Sequence, residues 1–248
     1  MIAAPVVTPS VAALGLVMLD TGFHRPPGDL GLPASYPCPV RRWVVPGAAP
    51  ASVVCHAEAL RASPLRQGFE QAVRALVLQG CTAITTSCGF LVLLQAELQA
   101  AAFPAPLVSS SLLALPSLLG GLPQVGVLTI SAERLGPDHL RAAGVPQHRL
   151  ADVWIQGMPE RSHFVHAILG ADVPLDPLRA QQEVVAAALA LRARAPHLRA
   201  LVLECTNLPP YAQAIRQATG WPVLSLLHSR RLFGDLALCE PTLTMLDF

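Results

Sequence analysis

Short, unbroken apolar runs alternate along this chain with stretches of helical periodicity, and that alternation limits the fold more than any other feature. Residues 12–19 and 125–130 are such runs; 40–45, 83–86, 153–155, 200–203 and 223–227 are shorter ones. Runs of this length suit parallel strands buried on both faces. Between them, Leu65, Phe69, Ala72, Val73, Leu76 and Val77 keep the i, i+3, i+4 rhythm of an amphipathic helix, with Gly80 placed to end it. Residues 178–194 read as a long helix stopped by Pro196. Residues 209–219 read as a helix opened by proline and closed by Gly220. The fold class is α/β.

The same order occurs twice. Leu14-Gly15-Leu16-Val17 resembles Val125-Gly126-Val127-Leu128, each a strand built around a glycine. Later in each half a strand runs into a cysteine, Cys88 in the first and Cys205 in the second. Gly126 follows Gly15 at nearly the interval at which Cys205 follows Cys88. Two related α/β lobes are expected, each with its cysteine at the carboxyl end of a strand, where open α/β sheets bind ligands.

Composition removes several functions. At 248 residues, 52% hydrophobic and 13% charged, the chain can bury a large core. A net charge of +1 gives no attraction to nucleic acid or to an anionic membrane. All 17 basic residues are arginine. Without lysine there is neither a pyridoxal phosphate Schiff base nor a Walker A phosphate loop. The apolar start, Met1 to Leu19, lacks a basic leader region and runs straight into Asp20-Thr21, so it reads as a first strand. No stretch reaches the roughly 20 apolar residues of a membrane span. The cysteines, at 38, 55, 81, 88, 205 and 239, lack the dense spacing of a secreted disulfide scaffold, so a reduced, cytoplasmic protein is expected.

Cys88 and Cys205 stand apart from the other four. In Thr85-Thr86-Ser87-Cys88-Gly89-Phe90 a strand ends in hydroxyl residues, then the cysteine, then a helix expected from near Phe90. In Leu203-Glu204-Cys205-Thr206-Asn207-Leu208-Pro209 a strand again meets a cysteine ahead of a proline-started helix. A cysteine at a helix N-terminus feels the positive end of the dipole and free backbone N–H groups, which favour the thiolate. Two such thiols facing one carbon acid could act as base and acid on its opposite faces.

Other features remain two-sided. Arg25, in the loop Arg25-Pro26-Pro27-Gly28-Asp29, could fork onto a carboxylate or stand as a solvated turn residue, and His24 is equally ambiguous. Phe90 could line a cleft or pack its own helix. Ser109-Ser110-Ser111 could bind an anion, though a helix cap is favoured. His163 and His166 are spaced for a helix face, but without a second ligand cluster no metal is expected.

The segments Thr86-Ser87-Cys88-Gly89 and Glu204-Cys205-Thr206-Asn207, supported by Val125-Gly126-Val127-Leu128-Thr129 and Asp20-Thr21, resemble the aspartate/glutamate racemase superfamily. That superfamily also contains hydantoin racemases, maleate isomerases and arylmalonate decarboxylases. The resemblance implies two pseudosymmetric Rossmann-like lobes with parallel sheets, residues 1–113 with 221–248 and residues 114–220, around an interlobe cleft. It implies a cofactor-independent amino-acid racemase or epimerase with Cys88 and Cys205 as the proton-transfer pair. Asp20, Arg25, Ser87, Gly89, Thr129, Thr206 and Asn207 become binding candidates for a small carboxylate-bearing substrate, and a homodimer is an open option. Gly89-Phe90 after the first cysteine and Asn207 after the second depart from the commoner glutamate racemase pattern. A maleate-type isomerase, an arylmalonate-type decarboxylase or a non-catalytic carboxylate binder are the alternatives.

Overall fold

The computed structural model describes residues 13–170, 173–240 and 248. It contains two four-stranded sheets, parallel throughout. The first is built from β1 (Leu14–Met18), β2 (Val40–Val44), β3 (Ala83–Thr86) and β4 (Leu107–Val108) in the order β2-β1-β3-β4. The second is built from β5 (Val125–Thr129), β6 (Val153–Gly157), β7 (Leu201–Leu203) and β8 (Val223–Leu224) in the order β6-β5-β7-β8. The two orders are the same order repeated, as the doubled sequence pattern implied. Residues 1–12 lie outside the description, so the first strand is established only from Leu14 onward.

Helices fill the crossovers. Leu65–Leu78 buries Phe69, Ala72, Val73 and Leu76, and Gly80 follows it with φ +84°, a conformation glycine adopts without strain. Burying a side chain such as Phe69 contributes roughly 2–3 kcal/mol. A side chain on Gly15, in β1, would bring a Cβ within 2.5 Å of Ile84 and 3.1 Å of Leu76. Gly126 meets Leu191 and Leu201 at 3.1 Å in the equivalent place. Each central strand therefore carries a glycine where a helix and a neighbouring strand press closely upon it. Pro177–Arg194 starts at Asp176, whose carboxylate accepts from the N–H groups of Leu178 and Arg179. Gly220 ends the helix Ala212–Thr219 in the left-handed conformation, φ +70°.

Three expectations change. Strand β2 is not buried on both faces: it is the edge of its sheet, and Arg41, Arg42, Trp43 and Val44 are exposed. Val223 and Leu224 pair with β7, so the implied return to the first lobe at residue 221 comes only after Leu224, where Arg230–Phe233 packs near β3 and β4. Beyond Cys88 the chain enters a 3-10 helix, Gly89–Leu94, and becomes α-helical only at Gln95–Ala102. Among the described residues no helix is long and apolar enough to cross a membrane.

Candidate active site

The two sheets bring their cysteines together. Cys88 lies just past β3 and Cys205 just past β7, equivalent strands in the repeated order. Both sulfur-bearing residues are 7% exposed and line one cleft of about 30 Å³. Hydrogen bonds fix the ground beneath them. The Thr206 hydroxyl donates to the Ser87 carbonyl at 2.6 Å, and the Ser111 hydroxyl donates to the Leu203 carbonyl at 2.6 Å. Both bonds join one half of the chain to the other.

The thiols are not poised as thiolates, which corrects the expectation drawn from helix ends. Burial first, and then the negative charge of Glu204, push the Cys88 thiol well above its ordinary range; the N–H groups of Phe90 and Leu91 oppose this only in part. Cys205 is raised in the same way by burial and Glu204, with Cys88 itself adding to the effect. Cys88 stands only at the start of a 3-10 helix, and the one after Cys205 starts at Pro209, so neither sulfur caps an α-helix and the dipole expected to favour ionisation is weak. Burial and the charge of Glu204 both favour neutral thiols at rest.

Glu204, which in sequence is only the residue before Cys205, is the further functional candidate in the cleft. It is 1% exposed and lines the cleft. The Thr129 hydroxyl donates to its Oε2 at 2.7 Å, while Oε1 has no hydrogen-bond partner among the described residues. Burial pushes its carboxyl up to about 7, against the bond from Thr129. Gly89 faces it so closely that a Cβ there would lie 2.2 Å from Oε1 and 2.4 Å from the Glu204 carbonyl oxygen. Only glycine fits at that position.

A second polar chain runs from the other sulfur. The Cys205 thiol donates to Asn207 Oδ1 at 3.5 Å, and Asn207 Nδ2 donates to Asp29 Oδ2 at 2.7 Å. Asp29 Oδ1 accepts from Arg25 and from the Gly31 N–H, each at 2.7 Å. Arg25 also donates to the Thr21 hydroxyl at 2.9 Å and sits 4.4 Å over the Phe23 ring. Arg25 is thus a buried cleft residue already paired with Asp29, rather than a solvated turn arginine.

The binding candidates separate accordingly. Arg25, Ser87, Gly89, Thr206 and Asn207 line the cleft beside the cysteines. Thr129 does not line it; it holds Glu204 from behind. Asp20 does not belong there either: it is exposed and accepts from the Gly47 N–H at 3.1 Å, bracing a turn. Ser87 Oγ accepts from the Leu19 N–H. Phe90 does both things considered for it, lining the cleft and packing edge-on to His139 at 4.9 Å. Of the three serines, Ser110 caps the turn at Leu112, and none lines the cleft. His163 Nε2 accepts from the Asp176 N–H, and no group of three metal-binding side chains occurs among the described residues. Four apolar residues that the sequence pattern does not single out, Pro50, Val54, Ile168 and Leu169, also line the cleft, from elements far apart in the chain.

No family model matches the chain. Among curated proteins, the dimethylsulfoniopropionate lyase of Durusdinium sp. clade D is 33% identical over 90% of this chain and 74% of its own length. The chain belongs to this lyase family. Dimethylsulfoniopropionate lyases 5 and 7 of Emiliania huxleyi (strain CCMP1516) are 31% and 30% identical over 87% and 89% of this family member. It spans 43% and 66% of those longer lyases, less than two thirds of each. Solved structures give the fold. The allantoin racemase of Klebsiella pneumoniae matches at TM-score 0.53 and 17% identity, with 92% of this chain and 95% of that one covered. Unliganded arylmalonate decarboxylase matches at TM-score 0.51 and 15% identity, over 86% of each chain. The lyase-family chain thus has the fold of the aspartate/glutamate racemase superfamily.

The expected racemase or epimerase, and the isomerase class with it, are corrected by these relatives. Likeness to racemases and to the decarboxylase lies at the level of fold, whereas the 30–33% identical relatives are named lyases. Neither the isomerase nor the decarboxylase alternative matches those names, and neither does a non-catalytic carboxylate binder. The physical reason is that thiols beside a carbon acid say how a proton is removed. They do not say whether it returns to the other face or whether a neighbouring bond breaks instead.

Proposed function

We propose that this protein cleaves dimethylsulfoniopropionate, or a close sulfonium carboxylate, by β-elimination at the Cys88–Cys205 cleft. The observation that carries this is the 33% identity to the Durusdinium lyase over most of both chains, on a fold whose two strand-end thiols share one cleft. One sulfur, having lost its proton to solvent as the cationic substrate enters, takes the proton from the carbon next to the carboxylate. The C–H electrons form the double bond of acrylate, and the C–S pair leaves with the sulfur as neutral dimethyl sulfide. The thiol then returns its proton to solvent. Arg25, a lining residue with guanidinium donors beyond those given to Asp29 and Thr21, would meet the carboxylate end.

Elimination needs one base, where inversion would use two groups on opposite faces. That sets the test. Dimethyl sulfide release from dimethylsulfoniopropionate is measured for the wild type, Cys88→Ala and Cys205→Ala. One variant is expected to lose at least about a thousandfold and the other markedly less, in keeping with loss of a positioned base. Wild-type rates in both variants would reject the proposal. The unpaired thiols support action in a reducing compartment such as the cytoplasm.

A further inference from the structure

We propose that Glu204 is the counter-ion of a cation subsite in the cleft, its uncompensated carboxylate balancing a sulfonium or quaternary ammonium head. The choice of ligand rests on the elimination mechanism proposed above; the subsite itself rests on geometry. Among the described residues lining the cleft, only Arg25 and Glu204 carry charge, and Arg25 is already matched by Asp29 at 2.7 Å. Glu204 is therefore the unmatched charge. It is 1% exposed, and one oxygen is fixed by Thr129 while the other has no partner among the described residues. Such an oxygen is costly to bury unless something compensates it.

The shape of the site selects the kind of cation. Gly89 leaves only enough room for Oε1 to rest against the backbone beside Cys88. Phe90, Ile130, Ile168 and Leu169 form an apolar wall of the cleft that Glu204 also lines. A hydrated ammonium with three N–H donors would leave donors unsatisfied against that wall. A methylated onium ion has no N–H or O–H to satisfy, sheds water readily, and tolerates apolar and aromatic contact. It offers the carboxylate charge alone. A positive centre seated there also sits beside both sulfurs and eases their ionisation, which Glu204 by itself opposes.

The test uses two unreactive probes of one shape: 3-(trimethylammonio)propionate and its uncharged-head isostere 4,4-dimethylpentanoate. Binding is measured by calorimetry to wild type, Glu204→Asp and Glu204→Gln. Wild type is expected to prefer the ammonium probe by tenfold or more. Glu204→Gln should bring the ratio close to one without weakening the isostere, and Glu204→Asp should fall between. Unchanged isostere affinity shows that the variants keep the cleft; if Glu204→Gln fails to fold, the ratio in Glu204→Asp decides. No preference in wild type, or a preference kept in the variants, overturns the subsite. Dimethyl sulfide release by wild type is scored separately. Preference without release keeps the subsite and rejects elimination, whereas release with the preference intact in Glu204→Gln rejects the subsite alone.

Discussion

The hydroxyl of Thr206 donates to the carbonyl of Ser87 at 2.6 Å, so the residue after one cleft cysteine is tied to the residue before the other. This single bond spans the two halves of the chain at the point where the sulfurs must keep their spacing. Thr206→Val should leave a buried carbonyl unpaired and cost about 1–3 kcal/mol, seen as a lower denaturation midpoint. Activity should fall further than stability explains, because the spacing of the sulfurs loosens. A variant with wild-type midpoint and wild-type rate would show that the bond is incidental.

Gly89→Ala should be among the most damaging small substitutions in the protein. The added carbon meets a side-chain oxygen at 2.2 Å and a backbone oxygen at 2.4 Å, and the backbone cannot swing aside. The expected outcome is a loss of roughly 2–3 kcal/mol with activity reduced at least tenfold. Adding Glu204→Ala removes only the first clash, so the double variant should not regain stability. Recovery in thermal melts would show that the carbonyl contact is soft.

Much of the fold could be read in advance from particular residues. Gly15 and Gly126 marked the central strands, and Cys88 and Cys205 marked their ligand-facing neighbours, because a strand that is buried on both faces leaves a continuous apolar signature. Edge strand β2 cannot be told from a buried one, because Trp43 and Val44 look the same in sequence whether covered or bare. Glu204 is hidden in the sequence for a different reason. Nothing in its spacing distinguishes a solvated carboxylate from one sealed between Gly89 and Thr129, and its importance depends on contacts across 75 and 115 positions of chain. Asp29 could have been suspected from its place four residues after Arg25, yet its link to Asn207 exists only once both halves are folded.

Glu204 should also be visible in the pH dependence of stability. Its carboxyl sits at about 7 in the fold against an ordinary 4.5. A raised folded value favours the protonated form, so its stabilising contribution is complete below 4.5 and is lost as the pH rises through 7. Glu204→Gln lacks this loss. The midpoint of the variant relative to wild type should therefore climb between pH 4.5 and 7 and then level off, by on the order of 3 kcal/mol in total. A difference independent of pH would contradict the burial of an ionisable group there.

Thiol labelling offers a direct check on the resting state. Cys239 is exposed, whereas Cys88 and Cys205 are buried and held protonated. Iodoacetamide at neutral pH should alkylate Cys239 first and the cleft pair last, as followed by peptide mass spectrometry. Early modification of either cleft cysteine would mean that its thiolate is already formed.

Two aspartates near the first strand should behave oppositely. Asp29 is fully buried against Arg25, and Asp29→Asn should cost about 3–5 kcal/mol by stranding that guanidinium. Asp20 is exposed, and Asp20→Ala should stay within about 0.5 kcal/mol of wild type with its rate unchanged. Chemical denaturation and dimethyl sulfide release together settle both.

The volume of the cleft carries one more consequence. At about 30 Å³ it admits roughly a pair of water molecules, far less than a sulfonium carboxylate occupies. The floor is stitched across by Thr206 and Ser111 and has little freedom to yield. The apolar part of the lining, Pro50, Val54, Ile168 and Leu169, makes no such cross-ties and is the side that would have to part for a ligand of that size. If the proposed elimination holds, its pace would depend on how often those apolar side chains part, with the sulfur pair already in register beside them.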